Sequence, residues 1–297
     1  MAHQHHLLLG AHISISGGFY AAISRGQAIG CTAIQIFTKS NQQWAAKSIT
    51  QEQIDRFLTT WQNSTVKSVI AHASYLINIG SPSEKTLAQS RASLQNELQR
   101  CDLLEIPHLV LHPGNHLQTD ELSCLQRIAN TINTIFDAHD SKTMLLLETM
   151  AGQGSNVGHS LEQIATIIDL VENKKRIGVC IDTCHLFAAG YDFRTPENYQ
   201  LFWHQFDEFI GLSKLKAIHL NDSKKECNSR VDRHEHIGKG KIGLQPFELL
   251  MNDPRFFDVP KIIETPKVDF FKEDAMNLAT LKSLIWPETK KILSMND

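Results

Sequence analysis

Histidines and carboxylates recur along this chain at the ends of apolar runs. Seven runs are each followed by at least one side chain of the kind that holds a divalent ion: His72, His112, Glu148, Asp182 with His185, His219, Asp232 with His234, and Glu264. One such coincidence would carry little weight, but its repetition reads as one many-ligand site assembled from the ends of many strands. Five histidines and four carboxylates without a thiolate favour Zn²⁺ or Mn²⁺, with Fe as a further option, over Ca²⁺ or Mg²⁺. Nine ligands exceed the roughly four to six that one ion takes. Two or three ions sharing a bridging carboxylate fit better. Divalent ions clustered about 3.5–4 Å apart suit in-line displacement at phosphorus. The chemistry indicated is phosphoester hydrolysis.

Elements that could bring these residues together are visible in the spacing. Short runs rich in Ile, Val and Leu recur at 7–15, 33–37, 66–71, 108–111, 144–147, 177–181, 215–220 and 261–263. Several are apolar on successive residues, as in strands of a parallel sheet buried on both faces. Helical spacing covers 51–61, 83–104, 121–138, 161–171, 197–210, 245–251 and 272–285. The repeat has the size of a βα unit, and eight units predict a closed (β/α)₈ barrel, an α/β TIM barrel. No Pro/Gly/Ser-rich linker divides residues 1–297, so one domain is expected, with 1–6 a flexible N-terminus. In a TIM barrel the eight loops after the strands converge on one face, which would gather all the candidate ligands. Asp182 and His185 are expected to flank a strand-to-loop transition. Asp232 and His234, two apart, would point the same way in extended backbone.

Bulk properties narrow the function classes. A chain of 297 residues, 42% hydrophobic, can bury a large core, and its net charge of −3 argues against a globally basic nucleic-acid coat. Six cysteines without a CxxC pair read as reduced thiols in a cytoplasmic protein. No apolar stretch approaches the roughly 20 residues of a spanning helix, and Leu7–Leu9 is too short for a signal-peptide core. His3, His5 and His6 read as part of a loose terminus rather than a metal site.

The runs SYLINIG at 74–80, LHPG at 111–114, LETMAGQG at 147–154, GVCIDTCHLFAAGYD at 178–192, HLNDSK at 219–224 and SRVDRHEHIGKG at 229–240 closely resemble the endonuclease IV family of apurinic/apyrimidinic endonucleases. The resemblance extends over essentially the whole chain. It implies a monomeric trinuclear zinc enzyme of base-excision repair, acting on double-stranded DNA with abasic sites or blocked 3′ ends. Such enzymes cut 5′ to the lesion, leave a 3′-hydroxyl and trim blocked 3′ ends. By position, His72, His112 and Glu148 correspond to the ligands of a first zinc. Glu148 bridges to a second, completed by Asp182, His219 and Glu264, and His185, Asp232 and His234 hold a third. A hydroxide between the first two ions would be the nucleophile, with Glu264 orienting or deprotonating it.

The same resemblance assigns Tyr75 and Leu76 to a wedge that enters the duplex at the lesion, while Arg233, on an active-face loop, could contact DNA phosphates. Gln42 stands in the loop 38–44 where the family pattern leads us to expect a wedge arginine. Lys39, Lys224, Arg230 and Lys239 also lie on or near these loops and could meet phosphates. His12 and His116 are candidates for supporting the ligands from behind. His108, His139, His159, His204 and His236 read as loop, surface or packing residues. Two other functions share parts of this pattern. A metal-dependent sugar isomerase or epimerase could use Glu148, Asp182, His219 and Glu264, but it has no need of a third ion. A non-catalytic lesion binder has no need of the ligands at all.

Overall fold

The computed structural model describes residues 5–269 and 271–293. Eight parallel strands close into a barrel: β1 Leu9–His12, β2 Ala33–Phe37, β3 Ser68–His72, β4 His108–Leu111, β5 Met144–Glu148, β6 Ile177–Asp182, β7 Leu215–His219 and β8 Lys261–Ile263. Each pairs with its neighbours in chain order, and β8 closes on β1 through Leu9↔Lys261, Gly10↔Ile262 and Ala11↔Ile263. Their uninterrupted apolar character has a simple cause, because both faces are covered. The outer face packs on helices, while the inner face fills the barrel. Gly10 is required by closeness: a Cβ there would lie 1.6 Å from the Ala33 carbonyl oxygen.

The helices between strands are α1 Phe19–Ala28, α2 Gln51–Gln62, α3 Glu84–Leu103, α4 Glu121–Ala138, α5 Leu161–Leu170, α6 Thr183–Ala189, α7 Pro196–Phe209 and α8 Gln245–Asn252, with α9 Lys272–Ser283 and α10 Pro287–Ile292 after β8. Local chemistry starts several of them. Thr50 and Gln53 form a reciprocal capping box at α2, and the Ser83, Asp120, Ser160 and Thr195 side chains cap α3, α4, α5 and α7. Three helices, α1, α6 and α10, lie outside the segments that spacing suggested. The first was obscured by Gly26, which sits on the buried stripe Phe19, Ala22, Ile23 and Gly26. A Cβ there would lie 2.5 Å from Ile34 Cγ2, so the small residue lets the helix approach the barrel.

Of the terminus expected to be loose, residues 1–4, His3 among them, lie outside the described residues. His5 places Nδ1 3.0 Å from each Asp258 carboxylate oxygen and its ring edge-on to Phe257, which docks it beside the chain entering β8.

Candidate metal centre

The site follows from the two-residue period of a strand. Ala33, Ile70, Val110, Leu146, Cys180, Ala217 and Ile262 form a separate cluster inside the barrel, one from each of β2 to β8. Side chains two residues further along point to the same interior. There the chain has Gln35, His72, His112, Glu148, Asp182, His219 and Glu264. The same step from Gly10 on β1 reaches His12. The apolar plug is thus topped by a polar ring. Asp232 and His234 do not end a strand of their own, contrary to the expectation of seven ligand-bearing runs. They come from the loop after β7, where Asp222–Ser223 pairs with His234–Glu235 in a short antiparallel ladder.

Three ligand groups result, each with its donor atoms within 4.8 Å of one another: His72, His112 and Glu148; Glu148, Asp182, His219 and Glu264; and His185, Asp232 and His234. Glu148 is fully buried and belongs to two of them. His72 Nε2 and His112 Nε2 lie 3.0 and 3.2 Å from its Oε2, and His219 Nδ1 lies 3.1 Å from its Oε1. His219 Nδ1 is also 3.3 Å from Glu264 Oε2. Asp232 stands 3.2 Å from His185 Nε2 and 3.3 Å from His234 Nε2. The transition at Asp182 is into a helix rather than a loop: Asp182 caps α6 by accepting from the His185 amide at 2.9 Å, which presents both side chains to the interior. A further combination, Asp182, Cys184 and His234, includes a thiol absent from the expected ligand set. Burial first, and Asp182 second, push that thiol up to about 12.

The imidazoles are oriented as metal ligands are. His72 Nδ1 meets the Ala73 carbonyl at 2.7 Å, His185 Nδ1 the Thr149 carbonyl at 2.8 Å, and His234 Nδ1 the Glu264 carbonyl at 3.0 Å. A carbonyl only accepts, so each of these nitrogens carries a proton and Nε2 is the nitrogen left to face the centre. His185 Nε2 and His234 Nε2 are buried and make no aligned hydrogen bond, facing the Asp232 carboxylate only as charge neighbours. A cation would satisfy both, so the donor set fits divalent ions. Burial alone would raise the Glu148 and Glu264 carboxyls. The surrounding histidines, His219 foremost, instead hold both below the usual carboxylate range. Burial would likewise lower His234, yet Asp182 and Asp232 bring it up to about 9. The ring is an electronegative pocket that favours positive charge.

Residues without ligand chemistry hold this ring, and residue type alone does not mark them. The fully buried Gln35 accepts from His219 Nε2 at 2.8 Å and donates to Glu264 Oε1 at 2.6 Å. Asn221 donates to Asp182 Oδ2 at 2.6 Å and accepts from the Glu264 amide at 2.7 Å. Thr149 Oγ1 accepts from the Asp182 amide at 2.9 Å. Gln35 could have been found from the two-residue step beyond Ala33. His12 supports the ring as anticipated, with Nδ1 3.3 Å from Glu264 Oε1. His116 does not: it closes a turn on the Thr119 carbonyl at 2.7 Å.

Tyr75 is 54% exposed, with its ring centroid 5.3 Å from those of both His72 and His112. It separates two clefts. The first, about 560 Å³, is the mouth of the ligand groups and includes His112, Gln153, Asp232 and Arg233. The second, about 710 Å³, is lined by His12, Ser14, Phe37, Asn41 and Lys267, and Glu264 borders both. Leu76 is half-buried in the same turn, and Gln42 is exposed on the neighbouring loop. Arg230, Lys224 and Lys239 are exposed, Lys224 beside Glu235. Lys39 borders the second cleft but turns its ammonium inward. It is buried, donating to the Trp44 carbonyl at 3.0 Å and Ser93 Oγ at 2.7 Å, because its side chain turns inward to Glu97.

Known proteins share this architecture. The xylose isomerase-like TIM barrel family matches residues 23–285. A probable endonuclease 4 of Chloroflexus aurantiacus is 47% identical over 277 residues, covering 93% of this chain and 97% of the relative. One from Geobacter sulfurreducens is 48% identical over 284 residues, covering 95% and 96%. Among solved structures, endonuclease IV from Thermus thermophilus superposes with a TM-score of 0.82 at 32% identity, covering 93% of this chain and 98% of that one. A D-tagatose 3-epimerase-like protein matches with a TM-score of 0.70 at 17% identity, covering 96% and 98%, a likeness of fold alone.

Proposed function

The chain belongs to the endonuclease IV family of xylose isomerase-like TIM barrels, and from that premise we propose that it hydrolyses the phosphodiester 5′ to abasic sites in duplex DNA. The reaction leaves a 3′-hydroxyl, and the same centre trims blocked 3′ ends. The observation that carries this reading is the set of three ligand groups, two of them joined through Glu148. His72, His112 and Glu148 would hold one ion, Glu148, Asp182, His219 and Glu264 a second, and His185, Asp232 and His234 a third. Nitrogen and oxygen donors suit Zn²⁺, with Mn²⁺ or Fe as substitutes. When bound, such ions neutralise phosphate charge and acidify water.

The chain's own residues supply the rest. Glu264 stays ionised, and, held through Oε1 by Gln35 and His12, it would help to orient the attacking water and take its proton. Tyr75 and Leu76 stand at the mouth as the wedge, with Gln42 beside them and Arg233 placed for a phosphate. An abasic nucleotide has no base to unpair, so extruding it costs less than extruding an intact one. We take the enzyme to act as a monomer in the cytoplasm. Among the described residues no helix is long and apolar enough to cross a membrane.

A labelled duplex with one tetrahydrofuran abasic analogue tests the proposal, with metal content measured on the same preparation. The analogue cannot undergo β-elimination, so a 5′ cut leaving a 3′-hydroxyl must be hydrolytic. Such a cut with close to three metals per chain is expected. An intact duplex after incubation with fully metallated protein would rule out the endonuclease reading and favour a sugar epimerase.

A further inference from the structure

Helix α3 carries polar residues on its buried side. Ser90, Ser93, Glu97 and Arg100 follow at steps of three, four and three, which places them on one helical face, and none is more than 6% exposed. Each reaches a loop of the barrel's ligand-bearing face. Ser90 Oγ accepts from the Asn78 amide at 3.0 Å, and Ser93 Oγ accepts from Lys39 Nζ at 2.7 Å. Glu97 Oε2 accepts from Thr38 Oγ1 at 2.9 Å and Oε1 from the Ser74 amide at 3.1 Å. Lys39 Nζ stands 3.7 Å from Glu97 Oε1. Arg100 donates to the Thr38 carbonyl through Nε at 3.0 Å and Nη2 at 2.5 Å, and to the Lys47 carbonyl at 2.8 Å. The two loops are also joined directly, by Ser74 Oγ to the Asn41 carbonyl at 2.8 Å.

An ion pair this buried is a poor device for stability, since desolvating both charges offsets most of their attraction. It is a good device for fixing one arrangement, because misplacing either partner strands a buried charge. What it fixes here is the pair of segments 38–47 and 74–78, which bear Gln42 on one side and Tyr75 and Leu76 on the other. None of the four helix residues belongs to a ligand group.

We propose that the polar face of α3 is a pedestal for lesion recognition, with Glu97 as the positioning residue that holds both loops in their DNA-ready arrangement. The inference rests on reading those loops as DNA contacts. Loops ordered in advance lose less conformational freedom on binding, so the pedestal acts on affinity for the damaged duplex rather than on bond cleavage.

The test uses full-length, metal-loaded protein with Glu97→Gln and Thr38→Val, singly and together. Two substrates are compared: the tetrahydrofuran duplex, and bis(4-nitrophenyl) phosphate, which engages the metal centre without a duplex. Each single variant is expected to raise KM for the duplex roughly tenfold, the scale of one buried charge-assisted hydrogen bond. Duplex kcat, diester hydrolysis and metal content should stay near wild type. The double variant should fall short of the product of the two single effects, because both changes break one bond. Thr38→Val leaves both buried charges in place, so it reports even if Glu97→Gln is insoluble. An unchanged duplex KM in Thr38→Val would overturn the inference, as would parallel losses on both substrates. A wild-type chain that hydrolyses the diester but leaves the duplex intact would overturn the endonuclease reading and this inference with it.

Discussion

Gln35 Oε1 lies 2.8 Å from His219 Nε2, and the same amide's Nε2 lies 2.6 Å from Glu264 Oε1. One uncharged side chain therefore turns an imidazole and a carboxylate toward the same point. The amide oxygen accepts from His219 Nε2, which leaves Nδ1 as the nitrogen facing Glu148 and Glu264. Gln35→Leu removes both constraints. The expected result is a tenfold to hundredfold weaker hold on the ion of that group, the usual scale for losing such a support. Competition against a graded chelator series measures it, and wild-type retention would show that His219 keeps its orientation unaided.

Glu148 and His112 make a contrasting pair. The carboxylate is shared by two ligand groups and is fully buried, whereas His112 belongs to one group and its side chain is 27% exposed. Glu148→Ala should lower metal content by about two ions per chain and His112→Ala by at most one, with activity lost more severely in the former. Elemental analysis alongside initial rates decides the matter. Equal residual metal and equal rates in the two variants would refute a bridging role.

Asp222 organises the loop that carries Asp232 and His234. Its carboxylate accepts from the amides of Ser223 at 2.7 Å, Gly240 at 2.9 Å and Ile242 at 3.0 Å. A Cβ on Gly240 would lie 2.4 Å from Asp222 Oδ1. Asp222→Ala and Gly240→Ala should both release this loop, costing about 1–3 kcal/mol of stability for the orphaned amides. The third ligand group should lose its ion while the other two groups keep theirs. Loss of all metal in either variant would mean that the loop supports the entire ring.

Lys261 opens β8, fully buried, with Nζ donating to the Phe256 carbonyl at 2.5 Å and the Val259 carbonyl at 3.0 Å. Burial lowers its pKa to about 7, against the attraction of Asp258 and Asp253. Between about 7 and the ordinary lysine value the unfolded chain binds more protons than the folded one. This group therefore makes folding more favourable as pH rises through that window, and its cost is fully present below about 7. Lys261→Met should flatten this dependence. Denaturant midpoints of the two proteins at pH 7 and pH 9.5 give the comparison; parallel shifts would show that Lys261 titrates normally.

Much of the architecture was legible because a strand buried on both faces leaves a continuous apolar run, and eight such runs with helical spacing between them admit few folds. The exceptions are instructive. Helix α1 was hidden by Gly26, whose small size serves packing against Ile34 rather than chain flexibility. Lys39 reads as a phosphate contact in a polar loop, but Glu97, far along the chain on α3, draws it inside.

Residue type and spacing pointed to the donor chemistry and to the barrel that gathers it, and the resemblance of whole motifs pointed to the family. Nitrogen and oxygen donors and strand periodicity are properties of local sequence. Tertiary structure decided which nitrogen of each histidine faces the centre, that Gln35 and Asn221 hold the ring, and that α3 carries the loops. Those outcomes depend on pairs such as Gln35 and His219, separated by 184 residues. No local periodicity encodes such a pair; the closure of the barrel brings it within hydrogen-bond distance.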